Sequence, residues 1–92
     1  MSAVDVFWLP RAIEPLLSII DHVSADSPSA AVDLAVTIRA AADTLATYPN
    51  RDRAGRVKGT RELVVKPNYI VVYRVTVRVE VLRVRHARRP DR

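Results

Sequence analysis

The sequence predicts an α+β fold: a short N-terminal strand and an αα-hairpin packed on one face of a three- to four-stranded antiparallel sheet. Three observations lead there. Apolar residues recur at helical spacing through the first half of the chain. After residue 60 the pattern changes to short runs rich in Val, Ile, Tyr and Thr, which fit strands. Prolines and polar stretches separate the segments. The chain has 92 residues, so one domain spanning 1–92 is expected, with 88–92 a short basic tail.

Each element has its own justification. Val4–Trp8 is a short apolar stretch closed by Pro10, which suits a strand followed by a helix start. Ile13, Leu16, Leu17, Ile20 and Val23 then fall at helical spacing and form the expected core stripe of a first helix. Pro15 lacks a donor, so it must lie in the opening turns or bend that helix. Ser27-Pro28 reads as an N-cap followed by Pro at the first helical position. Ala31, Leu34, Ala35, Ile38, Ala42 and Leu45 give a second stripe, which Pro49 ends. The short link between the stripes makes the helices an antiparallel pair. Asn50–Lys58 is polar and basic and reads as a loop. Arg61–Val65, Tyr69–Val75 and Val79–Arg85 read as strands, with Pro67-Asn68 and Thr76–Arg78 turning them.

Composition excludes several chemistries. There is no cysteine, hence no disulfide, thiolate zinc site, iron–sulfur cluster or thiol nucleophile. The two histidines are far apart in sequence, so neither a metal nor another cofactor is expected. No apolar run approaches the roughly 20 residues of a membrane-spanning helix. The N-terminus lacks the pattern of a secretory signal, so a cytoplasmic location without membrane contact is expected.

The net charge of +5 conceals a polarity. Residues 1–50 carry two Arg against six acids, a balance of −4, and residues 51–92 carry 13 basic groups against four acids, a balance of +9. Thirteen of the 15 basic residues are Arg, whose planar fork matches carboxylate or phosphate. A GC-rich genome also favours Arg codons, but codon usage does not segregate charge. A negatively charged partner is therefore expected.

Alternation along the strands sets the faces. Leu82 and Val84 are expected on one face of the last strand and Arg83 and Arg85 on the other. Arg61, Leu63 and Val65 share a face, as do Ile70, Val72 and Arg74. If these faces coincide, Arg56, Arg61, Arg74, Arg83 and Arg85 form a basic groove beside aliphatic residues. The plainer alternative is a solvated sheet face whose Arg stems cover apolar surface. Tyr69 and Tyr73 also share a face and read as sheet core with hydroxyls reaching the edge. Trp8 reads as an anchor under the helices.

Gly59–Val65, Asn68–Val75 and Val79–Arg89, preceded by Trp8–Ala12, Ser27–Ala31 and Arg53–Val57, resemble in that order the RelE/ParE toxin superfamily. The resemblance covers nearly the whole chain. It implies the toxin of a type II toxin–antitoxin pair, neutralised by a cognate acidic antitoxin that folds on binding. The implied antitoxin contacts are Arg56, Arg61, Leu63, Arg74, Arg83 and Arg85.

The superfamily divides by mechanism. One branch cleaves mRNA on the ribosome, and the other inhibits DNA gyrase without known catalysis. A nuclease needs groups to orient the 2′-hydroxyl, protonate the leaving oxygen and stabilise the phosphorane. Here Leu63 and Ile70 stand where basic groups would serve better, and no Tyr or Phe follows His86 to stack on a base. The resemblance thus favours the ParE-like branch, with no catalytic residues; the helical hairpin and the basic C-terminal segment 85–92, with Arg85, Arg88 and Arg89, are both candidate target contacts. The RelE-like alternative would use Arg61, Arg83, His86 and Arg88. A plain nucleic-acid binder with strongly salt-dependent affinity is a third reading.

Overall fold

The computed structural model describes residues 4–65 and 68–88. Two helices pack on one face of a five-stranded, mostly antiparallel sheet. In chain order the elements are β1 (Val6–Trp8), α1 (Pro10–Asp26), α2 (Pro28–Asp43), a 3-10 turn (Thr44–Ala46), β2 (Arg53–Ala54), β3 (Arg61–Val65), β4 (Tyr69–Val75) and β5 (Val79–His86). The sheet order is β1-β5-β4-β3-β2. All neighbours are antiparallel except β1, which runs parallel to β5 with Val6 opposite Val79 and Trp8 opposite Val81. The predicted α+β architecture is thus present, with a fifth strand. That strand, β2, comes from the expected 50–58 loop, where Arg53 and Ala54 pair with Glu62 and Arg61. Two residues are too few to show a period in sequence.

Ser27 makes the hairpin tight. Its N–H donates to the Val23 carbonyl at the end of α1, and its Oγ accepts from the Ala30 N–H at the start of α2. One residue therefore closes one helix and opens the next, and Pro28 supplies the fixed φ of the first turn. Pro15 lies within α1, so the Arg11 carbonyl receives no N–H from the residue four ahead. No helix among the described residues is long and apolar enough to cross a membrane.

The core lies between the helices and the sheet. Leu34, Ile38 and Leu45 meet Leu63, Val65, Val71, Tyr73, Val79, Val81 and Val84. Trp8 packs against this cluster. The second helical stripe is as expected, although α2 stops at Asp43 and Leu45 belongs to the 3-10 turn. The first stripe is rotated. Ile13 and Leu17 are 41% and 56% exposed, whereas Ala12 is buried and Leu16, Ile19, Ile20 and Val23 face the core. α1 is apolar over a wide arc, and its packing against β5 selects the part that is buried.

The faces of the sheet also differ from expectation. Val72 pairs with Arg83 but Tyr73 pairs with Val81, leaving Leu82 as an extra residue in β5. This bulge breaks the alternation, so Val81 and Val84 both enter the core and Leu82 does not share the Val84 face. The Arg61–Leu63–Val65 face and the Ile70–Val72–Arg74 face are opposite faces: the first meets the helices and the second is open. The Thr76–Arg78 turn is present, with Val75 opposite Val79. The Pro67 half of the other expected turn lies outside the described residues.

Candidate functional site

On the helix side of the sheet, Arg61 and Tyr73 stand opposite each other on β3 and β4. Both are spent on the 49–52 loop. Arg61 Nη1 donates to the carbonyls of Asp52 and Asn50 at 2.7 and 3.2 Å. The Tyr73 hydroxyl lies 2.9 Å from Asp52 Oδ2 and 3.1 Å from the Pro49 carbonyl oxygen. Burial first, then the hydrogen bond to the Asp52 carboxylate and its charge, push the phenol up to about 12. The hydroxyl is therefore a neutral donor near neutral pH, and this cluster fastens the loop to the sheet.

The open face is where side chains converge. Ile70 and Val72 are only 4% and 9% exposed there. Long Arg stems can cover apolar surface in such a setting. Arg85 pairs in register with Ile70, and its guanidinium reaches across β4 to Glu62 on β3, with Nη2 3.5 Å from Oε2. Glu62 also takes Arg53 Nη2 at 3.1 Å on Oε1. Both Glu62 and Arg85 are buried. Two opposite charges removed from water need each other, and losing either partner from such a pair costs about 3–5 kcal/mol.

Beside this pair lies a trough of about 490 Å³. Arg56, Arg83 and Arg85 line it, with Arg11 from the first turn of α1. Its apolar walls include Val57, Val72 and Leu82. The bulge matters here, because it places Leu82 and Arg83 side by side along the trough.

Farther along the open face, Glu80 binds Arg74 Nε at 2.6 Å and Arg78 Nε at 3.2 Å. The Arg74 hydrogen bond is the main cause that holds this carboxyl below its ordinary range, against an opposing effect of burial. Arg78 also stacks over the Phe7 ring, 4.1 Å from its centroid.

The expected basic groove is therefore only partly assembled. Arg56, Arg83 and Arg85 meet in the trough, and Arg85 is buried rather than exposed. Arg74 shares the open face but is engaged by Glu80. Arg61 and Leu63 lie on the opposite face, Leu63 in the core. Arg88 is exposed beyond β5, and Arg89 and the rest of the expected tail fall outside the described residues. Three partners were not singled out in sequence: Arg11, Arg53 and Glu62. An acid isolated within a basic strand, as Glu62 and Glu80 both are, was the available signal.

The alternative catalytic set is dispersed. Arg61 is in register with Tyr73 and His86 with Tyr69, four positions apart on β4 or about 13 Å along a strand. Arg83 lies on the other face. His86 packs edge-on against Tyr69 with ring centroids 5.4 Å apart, and its Nδ1 accepts the Arg88 N–H at 3.1 Å.

Comparison with known proteins agrees with this architecture. A family model described as the ParE toxin of type II toxin–antitoxin system, parDE, matches residues 6–90. The chain belongs to the ParE toxin family. The expected membership of the RelE/ParE superfamily holds. This ParE-family chain is 42% identical over 86 residues to Toxin RelE2 of Caulobacter vibrioides, covering 92% of this chain and 97% of the relative. It superimposes on a chain of the chromosomal ParDE TA system from P. aeruginosa with a TM-score of 0.81 and 22% identity, covering 91% of this chain and 96% of that one. A chain of the toxin–antitoxin complex RelBE2 from Mycobacterium tuberculosis gives a TM-score of 0.66 and 23% identity, covering 94% and 93%. At these identities the two structures show a common fold.

Proposed function

We propose that this ParE-family toxin is held inactive by a cognate acidic antitoxin and, once released, inhibits DNA gyrase by binding rather than by catalysis. The observation that carries the non-catalytic reading is the separation of Arg61, Arg83 and His86 over two faces and two ends of the sheet. Arg61 is also committed to two backbone carbonyls. General acid–base cleavage needs its groups within hydrogen-bond reach of one phosphate, and this arrangement does not favour it.

The antitoxin reading is supported by the family and by the polarity of charge. An acidic segment that folds on binding must recover its ordering entropy through apolar anchors and charge-assisted hydrogen bonds. The open face presents both, and a nanomolar complex corresponds to about −12 kcal/mol. Arg83→Glu should weaken antitoxin binding at least tenfold, as read by calorimetric titration, and an unchanged affinity would remove the open face from the antitoxin interface. The target is tested by adding the free toxin to a gyrase supercoiling assay and, separately, to translating ribosomes. Loss of supercoiling with intact mRNA is the expected result. Codon-spaced mRNA cuts with normal supercoiling would overturn it in favour of the ribosome-dependent endoribonuclease.

A further inference from the structure

Arg85 is the least ordinary residue of the open face. It is 8% exposed, and one arm of its guanidinium, Nη2, is engaged by Glu62. The other, Nη1, is buried and has no hydrogen-bond partner among the described residues. A charged donor left unpaired in a low-dielectric setting is costly. Such an atom calls for a specific explanation. The trough supplies one, because Arg85 forms part of its wall.

The lining defines what would fit. Arg11, Arg56 and Arg83 add to the Arg85 charge, while Glu62, the one acid among the described lining residues, is already held by Arg53 and Arg85. The field in the trough is therefore positive. Val57, Val72 and Leu82 add aliphatic surface, and no aromatic side chain is among the described lining residues. A nucleobase would find nothing to stack on. An acidic side chain flanked by aliphatic ones would find both a guanidinium fork and an apolar wall.

We propose that this trough is a carboxylate slot for an acidic, aliphatic-rich peptide segment, with Arg85 Nη1 as its buried donor and Arg56 and Arg83 as its outer cations. The slot rests on the reading of an acidic antitoxin as partner and specifies where one of its carboxylates seats. Glu62 holds one arm of the Arg85 guanidinium, which leaves the other for the peptide carboxylate.

The test uses the full chain and a dye-labelled, end-blocked hexapeptide of alternating leucine and glutamate, read by fluorescence anisotropy. Saturable binding is expected, at least tenfold weaker when glutamine replaces every glutamate. Arg56→Gln should weaken it about tenfold. Arg85→Gln alone leaves the buried Glu62 with only the more exposed Arg53 and threatens the fold, so the informative variant is Arg85→Gln with Glu62→Gln, which removes both buried charges. That pair should also lose at least tenfold in affinity while keeping its thermal transition. Equal binding of the glutamine peptide, or undiminished binding by the double variant, overturns the slot. So does tighter binding of a single-stranded uridine decamer that displaces the peptide. The antitoxin reading is read separately, by whether the purified product of the neighbouring gene binds the wild-type chain. Its binding the double variant with unchanged affinity would remove the slot and leave that reading intact.

Discussion

Tyr73 shows how one side chain links stability to pH. Its phenol is buried at the sheet centre, and its proton is stabilised by Asp52. The folded chain therefore holds this proton to about pH 12, whereas an unfolded tyrosine releases it near 10. Between those values the folded state binds more protons, so stability falls as pH rises, and below that window the contribution is fully present. Urea unfolding followed from neutral pH to pH 12 should show this alkaline loss, and Tyr73→Phe should flatten it. The same variant should be destabilised by about 1–2 kcal/mol at neutral pH, because Asp52 loses a donor. Glu80 has the opposite sign. Its carboxyl is held low chiefly by Arg74, so its contribution is present above the ordinary carboxylate range and disappears as pH falls through the lowered value.

Among the elements, β5 decides how the site is built. An extra residue at Leu82 lets Val81 and Val84 both enter the core and turns two successive side chains to the open face. Deleting Leu82 should restore simple alternation, with Val81 and Val84 inward and Arg83 outward. The variant is expected to fold and to lose less stability than the roughly 2–5 kcal/mol of a core truncation, while its antitoxin affinity drops. Thermal melting and calorimetric titration check the two halves of that expectation. The same bulge marks what the sequence concealed. Helix and strand periods, the Ser27-Pro28 junction and the Thr76–Arg78 turn were legible because each rests on local chemistry. The bulge carries no glycine or asparagine to announce it, so alternation carried through Leu82 assigns Val84 its wrong neighbour. Arg61 and Arg74 were grouped for a related reason. Which of their faces meets the helices depends on pairing between strands, and no residue encodes that alone. On α1, Ile13 and Leu17 were as eligible for burial as Ile19 by composition, and only docking against β5 separates them.

For the molecule as a whole, the charge polarity follows the architecture. The N-terminal half, which contains the helices, is net acidic, and the half that contributes most of the sheet is strongly basic. Such a field should steer an acidic partner toward the sheet. Raising salt from 0.1 to 1 M shortens the screening length from about 10 to about 3 Å. Stopped-flow association with antitoxin should slow by at least tenfold over that range, with a smaller change in dissociation. A salt-independent association rate would mean that steering plays no part. The parallel pairing of β1 with β5 has a different consequence. The first strand must wait for the last before it gains a neighbour, and Val79, Val81 and Val84 of that last strand fill the middle of the core. A growing polypeptide cannot close its sheet until β5 has been synthesised. Fragments that stop before Val79 lack the strand that joins β1 to the rest of the sheet, so they should be unable to complete the fold.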